Sequence, residues 1–103
     1  MAASFKSNQF RPPKDLNPAM RKRWVSIAGL ISLDEGSASL VTALCRNIQI
    51  ADDAAGVIAK EGLQVVDRFN QKRPHPALAI QRDSLNLVAK LYRALGLDLE
   101  AEQ

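Results

Sequence analysis

Scarcity excludes several chemistries at the outset. The 103 residues include one cysteine, Cys45, and one histidine, His75. A lone cysteine forms no intrachain disulfide, and no second thiol or histidine stands at the spacing of a zinc site. Cys45 therefore reads as a small buried side chain on a helix. There is no G-x-x-x-x-G-K-S/T loop, so any ATP chemistry belongs to another protein. No apolar run approaches the roughly 20 residues that span a bilayer. Met1 to Phe10 lacks the apolar core of a signal peptide, so a cytoplasmic protein with no membrane partner is expected.

Catalytic groupings are equally sparse. His75 is wedged between Pro74 and Pro76, and no Ser/His/Asp, Cys/His or paired-carboxylate arrangement supplies an orienting partner. It reads as a residue at a helix start. Asp52 and Asp53 are adjacent, and on a helix they point about 100° apart, so they share neither a metal nor a substrate. The sequence predicts a non-enzymatic protein with no cofactor and no metal.

What is present is one small domain's worth of chain, 47% hydrophobic, with an uneven charge distribution. A domain of this size buries one modest core, and long helices at this size complete their burial by self-association. Residues 1 to 30 carry Lys6, Arg11, Lys14, Arg21, Lys22 and Arg23 against Asp15 alone, whereas residues 31 to 103 carry eight basic and ten acidic side chains. A basic end suits a partner made of phosphates, since each neutralised phosphate releases condensed counterions. A solvated basic tail that keeps the protein soluble is the plainer reading.

Met1 to Asn17 mixes Ser, Asn, Gln, Lys and the pair Pro12-Pro13, and reads as a basic flexible arm. Asn17-Pro18 then predicts a helix start, with Asn as cap and Pro at the first position. The first helix runs to about Leu30, burying Met20, Trp24, Ile27 and Leu30 or Ile31 at helical spacing. Trp24 belongs to that apolar stripe; stacking on a base is the lesser reading. Ser32 and Glu35 have the spacing of a capping box and open a second helix that runs to Glu61. Gly62 stops it, with Leu63 placed to pack back on Ile58.

Along the second helix Val41, Leu44, Ile48, Ala51, Ala55 and Ile58 recur at steps of three and four, the seam of a helix packed lengthwise on another. These six are the candidate oligomerisation residues. Ala51, Ala54 and Ala55 permit close approach, by the first helix of the same chain or by a helix of the next subunit. Leu63 to Asp67 then reads as a short strand, with a turn at Asn70 and a return limb confined by Pro74 and Pro76 to an edge. Arg68, Lys72 and Arg73 make this hairpin a secondary basic spot, although a solvated tip explains them as well. Pro76 opens a third helix through Leu78, Leu85, Val88, Leu91, Tyr92 and Leu95, and Gly96-Leu97 repeats the glycine stop with Leu97 against Tyr92. Asp98 to Gln103 form an acidic, frayed tail.

The predicted architecture is mainly α: a long antiparallel helical hairpin, a short β-hairpin and a C-terminal helix, with residues 18–97 as core and oligomerisation domain. A helix-turn-helix fits less well, because a recognition helix is usually short and the helix after Ser32 to Asp34 exceeds twenty residues. Phosphate contact by the arm therefore ranks above major-groove reading.

The run Leu16 to Trp24, the Leu33-Asp34 helix start, Glu61-Gly62-Leu63-Gln64-Val65-Val66, Arg73-Pro74-His75-Pro76-Ala77 and Leu95-Gly96-Leu97 together resemble the P27 family of phage terminase small subunits. The resemblance implies a ring homo-oligomer that binds double-stranded viral DNA at the packaging start site. It further implies recruitment and modulation of a large subunit carrying the ATPase and nuclease, in the cytoplasm of an infected bacterium, with no cofactor. The charge asymmetry makes Lys6, Arg11, Lys14, Arg21, Lys22 and Arg23 the DNA-binding candidates. Two other classes are alternatives: a small dimeric transcription regulator, which shares the basic helical character, and a phage structural connector protein, which also forms a ring.

Overall fold

The computed structural model describes residues 10–97. Lys6, most of the expected arm and the acidic tail lie outside the described residues. Five elements follow one another: helix α1 (Pro18–Ala28), helix α2 (Glu35–Glu61), strands β1 (Gln64–Val66) and β2 (Lys72–Pro74), and helix α3 (Pro76–Ala94).

The first helix begins as its sequence dictates. The Asn17 side-chain oxygen accepts a hydrogen bond from the Met20 N–H at 2.8 Å, and Pro18 fills a position whose N–H would have no helical partner. It ends at Ala28, earlier than its apolar spacing suggests. The N–H of Leu30 turns back to the Ile27 carbonyl at 2.9 Å, leaving Leu30 72% exposed while Ile31 packs against the core.

The cap of α2 also differs from the expected Ser32–Glu35 box. Asp34 is the capping residue, its Oδ1 accepting from the Ser37 N–H at 2.8 Å. Asp caps as well as Ser does, and this choice sets Leu33 against the core one position before the cap, where an apolar residue fixes the angle of approach.

The core is built where three segments meet. Leu16, Met20, Trp24 and Ile27 pack on Val41, Leu44, Cys45 and Ile48, with Val88, Leu91, Tyr92, Leu95 and Leu97 closing over the same cluster. The C-terminal half of α3 thus returns to the N-terminal half of α2, so those two helices are antiparallel, and α2 packs more extensively on α3 than on α1. The long hairpin is therefore α2 with α3, not the first helix with the second. A helix of eleven residues spans about 16 Å against about 40 Å for one of twenty-seven, so α1 covers only half of α2.

The seam of α2, expected to pack either on the first helix or on a helix of the next subunit, is largely buried within the chain. Val41 and Leu44 are fully buried, and Ile48 and Ala51 nearly so, while Ala55 and Ile58 are half-buried. Beyond Ile48 the contact between α2 and α3 rests on small residues, with Ala51, Ala54, Ala77 and Ser84 all buried. Ser84 was not legible as a core position. Leu85, expected inside, is 50% exposed, because the buried stripe of α3 runs through Ala77, Ser84, Val88 and Leu91.

Two glycines stop the long helices in different ways. At the end of α3 the Leu97 N–H reaches the Tyr92 carbonyl at 2.8 Å and the Gly96 N–H reaches Arg93 at 3.0 Å, with Gly96 at φ +75°; this is the expected glycine stop, with Leu97 folded onto the core. At the end of α2, Gly62 has φ +87° and ψ 176°, which throws the chain directly into an extended strand. Leu63 consequently stands 63% exposed instead of folding back on Ile58. A Cβ at Gly62 would meet no atom within 4 Å, so replacing it tests backbone conformation alone. Gly62→Ala is expected to lower unfolding stability by about 1–3 kcal/mol, measured by urea denaturation.

Candidate nucleic-acid interface

The basic residues divide into two groups at opposite ends of α2. On α1, inward-facing Met20, Trp24 and Ile27 leave Arg21, Lys22, Val25 and Ser26 on the outer side. With Pro12 from the preceding segment these four line a shallow concavity whose floor is mainly apolar and whose rim is cationic. Lys14 and Arg23 are exposed nearby, Arg23 close enough to Cys45 for its charge to act on the thiol, although burial dominates and raises the Cys45 pKa. Arg11 lies in a second concavity with Phe10, Trp24, Glu35, Thr42 and Arg46.

Residues 10–17 lie close to the core. Leu16 is 2% exposed, the Asn17 N–H donates to Gln49 Oε1 at 2.8 Å, and Arg46 makes a two-pronged ion pair with Asp15 at 3.1 Å. Arg46 holds the Asp15 carboxyl below its ordinary pKa. These contacts tie the segment before α1 to α2. No local sequence signal discloses the Asp15–Arg46 pair, whose members are 31 positions apart. Trp24 is core, its indole N–H donating to Thr42 Oγ1 at 3.0 Å, so it offers no face for base stacking.

The hairpin group lies about 30 Å further along α2, counting from the turn opposite Trp24. β1 and β2 pair antiparallel, Val65 opposite Arg73, and Asn70 takes the left-handed turn conformation at φ 62°. Asp67 organises this turn. Its Oδ1 accepts from the N–H groups of Phe69 at 2.8 Å and Gln71 at 3.0 Å, and its Oδ2 accepts from Arg73 Nε at 2.6 Å. Arg73 is thus committed to the turn, while Arg68 lies 5.0 Å from the Phe69 ring centre and Lys72 is exposed.

At the base of the hairpin, His75 is 8% exposed and caps α3. Its Nδ1 accepts from the Ala77 N–H at 3.0 Å, which places the ring hydrogen on Nε2, donating to Glu61 Oε1 at 2.9 Å. Both nitrogens therefore serve structure, in keeping with a helix-start role. Among the described residues no three His, Cys, Asp or Glu side chains gather in a way that could hold a metal ion, and no helix is long and apolar enough to cross a membrane.

The hydrogen bond from Arg73, followed by those from the Gln71 and Phe69 amides, holds the Asp67 pKa below its ordinary value. A carboxyl depressed on folding contributes stability above its unfolded pKa, near 4, and loses it as pH falls through the folded value. Acidification below about pH 4 should therefore loosen the hairpin. Asp67→Asn should produce the same loosening at neutral pH, read from amide exchange at Phe69 and Gln71.

Neither curated proteins nor solved structures yield a match to this chain. The family model described as "Phage terminase, small subunit" matches residues 21–103, from within α1 through α2, the hairpin and α3. With most of its length inside that match, the chain belongs to the family of phage terminase small subunits.

Proposed function

We propose that the protein acts in phage DNA packaging as a ring-forming adaptor, which binds double-stranded viral DNA at the packaging start site and recruits and modulates the large ATPase–nuclease subunit. Membership of the terminase small subunit family carries this reading, since that family supports a role in packaging the phage genome. The host cytoplasm is the place of action.

Two physical observations support the finer parts. A compact chain of this length has a radius of gyration of about 13 Å, whereas this one measures 17.2 Å. Its elongated form leaves Ile50, Val57 and Ile80 exposed, as apolar surface for a neighbour to cover. Ala55 and Ile58 are the seam residues that keep surface to share with that neighbour.

For DNA, the support is the concentration of cations on and before α1, of which Arg11, Lys14, Arg21, Lys22 and Arg23 make no ion pair among the described residues. Arg21 and Lys22 flank one concavity, Arg11 lies in a second, and Lys14, Arg23 and Lys6 belong to the same basic end of the sequence. Each contact is weak alone. Repetition around a ring turns many weak phosphate contacts into avidity. Arg68 and Lys72 are a secondary set, and Arg73 brings less, its charge already opposed by Asp67.

With about four phosphates neutralised per engaged protomer, the logarithm of DNA affinity should fall against the logarithm of salt with a slope of about −3.6. Arg21→Gln with Lys22→Gln should reduce that slope by about 1.8 across unrelated sequences. Fluorescence anisotropy over a salt series provides the measurement, and a salt-independent affinity would reject the α1 end as the DNA-binding element.

A further inference from the structure

We propose that the β-hairpin tip of one protomer, led by Phe69, docks in the apolar groove between α2 and α3 of a second copy. The inference rests on the ring reading above and specifies the contact that builds it.

The groove follows from the way the two helices meet. Because Ala51, Ala54, Ala77 and Ser84 are small, α2 and α3 approach closely, and the larger Ile50, Val57 and Ile80 flank the seam with nothing above them. Helix α1 is too short to reach this half of α2. The result is a cavity of about 380 Å³ floored by Ala54 and Ala77 and walled by those three aliphatic side chains. Its lining is overwhelmingly apolar, and it has the concavity that receives an aromatic anchor.

The hairpin supplies a matching projection. Phe69 is 68% exposed and Val66 60%, an arrangement that wastes apolar surface in an isolated chain. The tip is also stiff, since Asp67 ties Phe69, Gln71 and Arg73 together. A rigid aromatic loses little entropy on docking.

Charge selects between possible occupants. Beside Phe69 the tip presents Arg68 and Lys72, exposed and free of ion pairs among the described residues. Asp53 forms part of the groove wall and Glu61 lies at its end beside His75; Lys60 stands nearby on α2, leaving that wall net acidic. A basic aromatic tip and an acidic apolar groove are complementary. The chain cannot satisfy itself, because the base of its hairpin is fixed by the His75 N–H bond to the Leu63 carbonyl at 2.8 Å, and the tip lies about 15–20 Å beyond it. Projection and groove are different surface patches, so the contact runs head-to-tail, the kind that builds a ring where the rotation between protomers closes and a filament where it does not; the ring reading requires closure.

Native mass spectrometry tests this directly. The full chain should form a closed oligomer, Phe69→Asp should abolish it by removing the projection, and Ile80→Glu should abolish it by filling the groove with charge. Both sites are at least half exposed, so both variants should keep the helical circular dichroism of the parent. Mixing the two variants leaves one intact projection facing one intact groove, and a one-to-one heterodimer should appear. A ring that survives Phe69→Asp, or a mixture that stays monomeric, would overturn the docking assignment while sparing the ring. A monomeric parent chain would overturn both. Should Ile80→Glu keep its ring and lose only stimulation of the large subunit's ATPase, the groove would belong to the motor and the proposal would fail.

Discussion

The structure depends on a mismatch of lengths. Helix α2 has twenty-seven residues and α1 has eleven, so the first helix buries only the half of α2 that carries Val41, Leu44 and Ile48. There the core has three contributors and large side chains. Toward the hairpin it has two helices, joined through alanines and a serine, and the hydrophobic effect is incompletely satisfied. The chain is therefore a folded unit at one end and an unfinished surface at the other.

That polarity also separates two kinds of chemistry. The well-packed end carries the cations of α1 and of the segment before it, positioned by Leu16, the Asn17–Gln49 bond and the Asp15–Arg46 pair. An exposed ion pair of this sort contributes little stability, but it joins the segment that carries Arg11 and Lys14 to α2. The unfinished end carries the hairpin, and its acid, Asp67, spends one of three local cations on holding the turn. Both groups looked alike as clusters of Lys and Arg in the sequence; three-dimensional partners distinguish cations held within the fold from those left facing solvent.

Local rules made much of the fold legible. Asn17-Pro18, Gly62, Asn70, Pro76 and Gly96 each act through their own backbone chemistry, and the elements begin, turn or stop at these residues. The misreadings came from choices that local rules leave open. Ser32 and Asp34 are both good caps, and the packing of Leu33 decides between them. The seam of α2 had the correct period, but periodicity names a buried face without naming what covers it; α1 and α3 cover most of it. Leu85, expected inside, stands exposed and Ser84 is buried beside it, because the alanine-lined contact demands a small side chain where a leucine would hold the helices apart. The basic end was visible as composition, whereas the pairing of Asp15 with Arg46 joins distant positions and leaves no local trace.

One backbone angle has architectural weight. Gly62 leaves α2 at φ +87°, a direction closed to side chains with a Cβ, and thereby sets how the strand pair is pitched against the two helices. In an assembly joined tip to groove, that pitch is the rotation from each protomer to the next. The circumference of the circle, and with it the width of any central opening, would then depend on the dihedral angles of a single residue.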